Sequence, residues 1–144
     1  MKIPDFIFLL ASIASFLIAL VHIFIIFMGR KGYEFFGAAQ LIPPLDKSGS
    51  RLALITFILA IIFVICGVYG LSGARVFPHL VLLRLVLIII AAGYILRGLV
   101  FVKEVVLVFG HSASVPTREL VFSSVSLIVG LLYLTGLVLN WSTL

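Results

Sequence analysis

A few ionisable side chains lie inside otherwise apolar stretches of this sequence, and they are the residues that could do chemistry. Arg84 and Arg97 occur in one apolar run, and His22 occurs in an earlier one. A charged residue at the centre of a membrane-spanning helix costs about 2.5–3.5 kcal/mol on insertion scales, so such residues persist where they are paired, reach the interface or have a function. These three residues are therefore the first candidates for a binding or transport site.

Four polar residues are predicted to meet at one level of the protein. Tyr94 and Arg97 are three residues apart and share a helix face. At 1.5 Å per residue, His22 lies about 24 Å along the first helix, at the level of Arg97. Glu34, in the loop that follows this helix, is within reach of Arg97, as are Glu104 and Glu119. We expect His22, Glu34, Tyr94 and Arg97 to form a cluster that holds the loop in place, binds a ligand, or moves protons or ions.

Arg84 is a second intramembrane charge, and Asp5 is the carboxylate on its side of the membrane. We expect these two residues to pair. Arg84 and Arg97 are 13 positions apart, so at 100° per residue their side chains point about 140° apart. One straight pore would not be lined by both arginines, which argues against a transport path.

The sequence contains no recognisable catalytic or metal-binding set. His22 and His79 belong to opposite sides of the membrane, which excludes them as paired axial ligands of a haem. Cys66 is the only cysteine, and no spacing of Cys, His and carboxylates matches a zinc or di-iron site. No G-x-S-x-G motif and no nucleophile–base–orienter set is present. We therefore predict a protein that is not an enzyme and that holds no metal and no cofactor.

Composition shows which elements must position these residues. The chain has 144 residues, of which 64% are hydrophobic and 10% charged, whereas soluble domains average about 45–50% and about 25%. Four apolar runs are each long enough to cross a bilayer core, which needs roughly 20 residues. We predict an all-α fold, an integral membrane four-helix bundle that forms a single polytopic transmembrane domain over 1–144. The predicted transmembrane helices are 6–28, 52–71, 78–102 and 120–139.

The first helix and the loop after it carry the clearest local signals. Ala11, Ser15 and Ala19 recur every four residues and make a ridge of small side chains that allows close helix packing. The loop at 29–51 contains three aromatic residues that suit the membrane interface. We expect a short amphipathic or re-entrant segment at 33–41. The aromatic residues of this predicted interfacial loop are Tyr33, Phe35 and Phe36.

Charge predicts the orientation and the partners. The net charge is +5, and the basic residues are concentrated in loops, which indicates anionic lipid headgroups rather than nucleic acid. Six basic residues lie in the first and third loops, against two outside the helices on the other side. We therefore expect these two loops in the cytoplasm and both termini in the periplasm.

Two motifs resemble those of a known group of proteins. The first half contains HIFIIF…GYEFFGA…SGSR, and the second contains LLRLVLIIIAAGYILRGLVF. Between His22 and Phe101 the chain resembles a group of small bacterial inner-membrane proteins with four helices. That group has an aromatic FFGAP-like loop and a third helix with Leu-Arg…Tyr-x-x-Arg-Gly; here Ala39 stands where the group has the loop proline. The resemblance implies a bacterial inner-membrane location and no particular activity.

Two functions are compatible with these patterns. The first is a non-enzymatic, multi-pass inner-membrane protein that supports the cell envelope by binding a lipid or a membrane-protein partner, which includes a second copy of itself. The alternative is a small transporter or channel subunit for a small solute or ion. The absence of catalytic motifs and the basic, aromatic loop favour the first.

Overall fold

The computed structural model describes residues 3–37, 50–109 and 116–142. These ranges are helical apart from short turns and connections, and they contain no β-strand. The helices are α1 (Ile3–Met28), α2 (Arg30–Phe35), α3 (Ser50–Gly73), α4 (Leu83–Phe109) and α5 (Thr117–Asn140).

Four of these helices are long and apolar enough to cross a membrane. The candidate spans are Ile3–Met28, Ser50–Gly73, Leu83–Lys103 and Thr117–Asn140. The predicted all-α class with four membrane-spanning helices is therefore confirmed, and the protein is a multi-pass membrane protein. The described chain folds as two compact units, Met1–Ala14 with Cys66–Leu144, and Ser15–Ile65. That the chain forms one domain stays a prediction.

The third membrane-spanning helix begins later than the sequence predicts. Pro78 does not open α4, which begins at Leu83. The hydroxyl of Ser72 donates to the Pro78 carbonyl oxygen at 2.8 Å and accepts from the Leu80 amide at 3.1 Å. Leu82 has φ of 55°, in the left-handed region, so the right-handed helical backbone begins only after this residue. Arg84 therefore lies in the first turn of α4.

The core of the first unit is built around Tyr133. This side chain is fully buried, and its hydroxyl donates to the Cys66 carbonyl oxygen at 2.8 Å. Its ring stacks on Tyr94, with ring centroids 5.9 Å apart, and lies 6.4 Å from the ring of Phe8. Tyr133 thus contacts residues from α1, α3 and α4 of this unit and joins them to α5.

Glycines let α4 and α5 approach closely. A Cβ on Gly98 would lie 2.5 Å from the Leu127 Cα, and a Cβ on Gly130 would lie 2.8 Å from the Ile95 amide nitrogen. Each helix thus presents a glycine to the backbone of the other. Gly98 and Gly130 therefore both lie where α4 and α5 cross.

The second unit contains the C-terminal part of α1, the short α2 and the N-terminal part of α3. Gly29, with φ of 58°, separates α1 from α2. Tyr33 of α2 packs with Ile25 and Leu52 in a small apolar core. Its hydroxyl donates to Thr56 Oγ1 at 3.2 Å. A short segment after the first helix was predicted at 33–41; the helix lies at Arg30–Phe35, and 38–41 lie outside the described residues.

The predicted ridge of small residues on α1 is buried. Ala11 and Ser15 have no exposed surface, and Ala19 is 4% exposed. This burial agrees with a face that packs against protein rather than lipid.

Candidate functional site

Arg97 lies at the surface of α4 and is attached to α5. Its side chain is exposed, and its Nη1 donates to the buried Ser123 Oγ at 2.9 Å. Tyr94, one helical turn earlier, is buried and stacks on Tyr133. Among the side chains of the first unit that the structure describes, no carboxylate lies within ion-pair distance of Arg97.

His22 and Glu34 each have a neighbour in the second unit. His22 is half-buried; its Nδ1–H donates to the Ile18 carbonyl oxygen at 2.7 Å, and its ring lies 4.9 Å from that of Phe63. The Glu34 carboxylate accepts a hydrogen bond from Arg30 Nε at 2.9 Å. This ion pair is exposed and joins neighbouring turns of one helix, so it contributes only about 0.3–0.5 kcal/mol.

The predicted polar cluster draws on both units. His22 and Glu34 belong to the second unit, whereas Tyr94 and Arg97 belong to the first. The pairing of Arg97 with Glu34, and the meeting of all four residues, stay predictions.

Arg84 has an aromatic partner. Its guanidinium carbon lies 4.8 Å from the centroid of the Trp141 ring, and its Nη2 donates to the Trp141 carbonyl oxygen at 3.0 Å. Asp5, with which Arg84 was predicted to pair, is buried and has an oxygen 4.0 Å from Arg75 Nε. The structure thus gives Arg84 and Asp5 different neighbours. An arginine over an indole is favourable by about 0.5–1 kcal/mol where it is exposed.

The Arg84–Trp141 contact was missed by the sequence analysis. Trp141 follows the last residue of α5, where an interfacial indole is common, and Arg84 is the second residue of α4. Because α4 and α5 are consecutive helices, the start of one and the end of the other meet if they are antiparallel. The sequence thus places both residues at the same end of the pair, whereas their contact depends on how the two helices pack.

The short helix α2 has a buried side and an exposed side. Tyr33 and Gly32 are buried, whereas Phe35 is 71% exposed. Arg30 and Lys31 are also exposed. Phe36 is half-buried, packs against the core of the second unit and meets the ring of Phe35 edge-on at 5.2 Å. The helix thus presents the Arg30–Glu34 ion pair, the Lys31 cation and the Phe35 ring outward.

In the described ranges, no three His, Cys, Asp or Glu side chains are placed to hold a metal ion together. The chain matches no protein-family model, no curated protein and no solved structure. The resemblance to the group of small bacterial inner-membrane proteins stays a prediction.

Proposed function

We propose that this multi-pass membrane protein resides in a bacterial inner membrane and supports the cell envelope by binding anionic lipid, without catalysis. The observation that carries the proposal is the arrangement of α2. Tyr33 anchors this helix to the second unit, while Arg30, Lys31 and Phe35 face outward directly after a membrane-spanning helix. Basic and aromatic side chains at the end of a span suit the headgroup region.

The chemistry of α2 favours lipid over the other candidate partners. Basic residues beside a membrane attract anionic headgroups by about 1 kcal/mol each. A membrane-protein partner or a second copy would also need an apolar or acidic complement. Among the side chains that the structure describes, the exposed carboxylates are Glu34, which accepts from Arg30, and Glu119, which directly follows Arg118, so each already has a basic residue beside it on its own helix.

Transport is the less supported alternative. It was predicted to use Arg84 and Arg97 along one internal path. Both side chains are exposed on α4, and each is attached to α5 by its own contact. The two arginines therefore give no support to a shared path.

The proposal predicts that the charge of α2 controls how much anionic lipid the purified protein binds. Lys31→Gln should weaken binding of phosphatidylglycerol about fivefold, because one basic residue beside anionic lipid contributes about 1 kcal/mol. Arg30→Gln with Lys31→Gln should weaken it further. The measurement is native mass spectrometry of delipidated protein titrated with phosphatidylglycerol and, separately, phosphatidylethanolamine.

Glu34→Gln is the matched control, because it changes the same exposed helix and raises its net charge. Binding of phosphatidylglycerol should stay equal or increase in this variant. A similar loss of phosphatidylglycerol binding in all three variants would mean that the substitutions disturb the fold of α2, and that the loss does not come from its charge. Equal binding of both lipids by the wild type, unaffected by Lys31→Gln, would rule out the proposal.

The orientation can be tested with single cysteines in a Cys66→Ala background. We propose that α2 faces the cytoplasm and that the connection between α3 and α4 faces the periplasm. Val76, in that connection, is 61% exposed, and Lys31 is exposed on α2. In intact bacterial cells an impermeant thiol reagent should label Val76→Cys, and it should label Lys31→Cys only after permeabilisation. The reverse pattern would invert the orientation.

A further inference from the structure

An apolar groove runs along the outside of the α4–α5 pair. It has a volume of about 240 Å³ and is lined entirely by apolar and aromatic residues. Its floor includes Ala91 and Leu137, which are each 3% exposed, and its walls are more exposed. The wall residues include Ile88, Ala92 and Ile95 of α4, Leu134 and Val138 of α5, and Trp141.

The groove ends at a cation. Trp141 lines the groove, and the Arg84 guanidinium lies over the ring of Trp141. Arg84, Ile88 and Ile95 lie within about 40° of one another around α4, so the arginine lies on the helix face that carries the groove. Among the side chains of the first unit that the structure describes, no carboxylate lies within ion-pair distance of Arg84. The exposed positive charge of Arg84 thus lies at the end of the apolar groove.

The length and depth of this groove match one leaflet of a bilayer. From Arg84 to Ile95 the axis of α4 rises by about 16 Å, roughly half of a 30 Å hydrocarbon core. Arg84 is the second residue of the α4 span, and Trp141 directly follows the α5 span, so both lie at a membrane boundary. An arginine and a tryptophan at this depth are placed for a headgroup, and the residues below them are placed for an acyl chain.

We propose that this groove holds one acyl chain of an anionic phospholipid whose phosphate group pairs with Arg84. The site rests on the proposed lipid-binding function and assigns one specific lipid to residues of α4 and α5 and to Trp141. Trp141 holds the guanidinium in place through its ring and its carbonyl oxygen, which leaves the remaining N–H groups of Arg84 for phosphate oxygens. A zwitterionic lipid would bind more weakly because its amine offsets the phosphate charge.

The test uses the full chain, delipidated in mild detergent and titrated with dioleoyl phosphatidylglycerol under native mass spectrometry. Arg84→Gln should weaken the tightest lipid site about fivefold, the effect of one basic residue on anionic lipid. Ala92→Leu should also weaken it, by filling the groove without touching the charge. Thermal stability of each variant is measured in the same detergent to establish that it is folded.

Two matched controls lie on the same helix. Arg97→Gln removes a second exposed arginine of α4, which points about 140° away from Arg84. Gly93→Leu adds bulk at an exposed position where a Cβ meets no atom within 4 Å, outside the groove lining. Both should bind phosphatidylglycerol at the tightest site as the wild type does.

The outcomes separate this site from the proposed function. If folded Arg84→Gln and Ala92→Leu bind lipid as tightly as the wild type while Lys31→Gln does not, this site is wrong and the proposed function stands. If the wild type binds no phosphatidylglycerol, both fail. If Ala92→Leu instead dissolves a dimer seen in the wild-type spectra, the groove is occupied by a second copy and the lipid site is overturned.

Discussion

Gly98→Ala should destabilise the protein strongly, although it adds a single methyl group. That methyl would lie 2.5 Å from the Leu127 Cα and 2.6 Å from its amide nitrogen, and α5 backbone cannot rotate away as a side chain can. Overpacking of this kind costs typically about 1–3 kcal/mol, and a backbone clash belongs at the upper end. Thermal unfolding in detergent, followed by circular dichroism, should show a markedly lower midpoint.

Gly93→Ala is the control, because the same change on the same helix meets no atom within 4 Å. Alanine favours a helix interior over glycine by about 0.8–1.0 kcal/mol, so this variant should be equally or more stable than the wild type. The two substitutions should therefore shift the midpoint of thermal unfolding in different directions. Similar midpoints for both variants would show that α4 and α5 do not cross at Gly98.

Tyr133→Ala should have the other large effect. The side chain is fully buried, stacks on Tyr94 and lies beside Phe8, so its removal leaves a cavity among residues from several helices of the first unit. Truncation of a large buried aromatic residue to alanine costs about 3–5 kcal/mol. The same thermal unfolding experiment in detergent measures this loss of stability.

Tyr133→Phe separates the ring from the hydroxyl. It keeps the ring and its stack, and it removes the hydroxyl together with its 2.8 Å hydrogen bond to the Cys66 carbonyl oxygen. Hydrogen bonds between transmembrane helices average about 0.6 kcal/mol and reach about 1.7 kcal/mol, so the loss should be far smaller than for alanine. Tyr69→Phe, which removes a longer and more exposed bond to Val81, should be nearly neutral. A Tyr133→Ala variant as stable as Tyr133→Phe would exclude Tyr133 as the centre of the core.

The amino-acid sequence by itself determined the class and the number of spans. Whether a segment of about 20 residues can cross a bilayer depends on its own apolar length, because every backbone group is satisfied within the helix. The small residues at Ala11, Ser15 and Ala19 are likewise buried, as their spacing predicts. Their signals are local and need no knowledge of neighbours in space.

The start of α4 and the partner of Arg84 were decided by tertiary structure. Pro78 is a good first residue of a helix, but the Ser72 hydroxyl bonds to the chain at Pro78 and Leu80, which holds this segment in another path. Asp5 was predicted to pair with Arg84 because it is the carboxylate expected on the same side of the membrane. The fold instead brings an aromatic ring from a distant part of the chain to that arginine.

The buried aromatic stack and the groove likewise depend on which helix faces meet, and the sequence did not predict this. Tyr94 shares a face with Arg97 by spacing, yet its ring is used against Tyr133, which is far away in the sequence. The groove lies between α4 and α5, which approach closely at Gly98 and Gly130, and the small side chains of Ala91 and Ala92 are part of its lining. Helix periodicity places side chains on faces, but which faces meet depends on packing summed over many weak contacts, and that sum is available only in the folded chain.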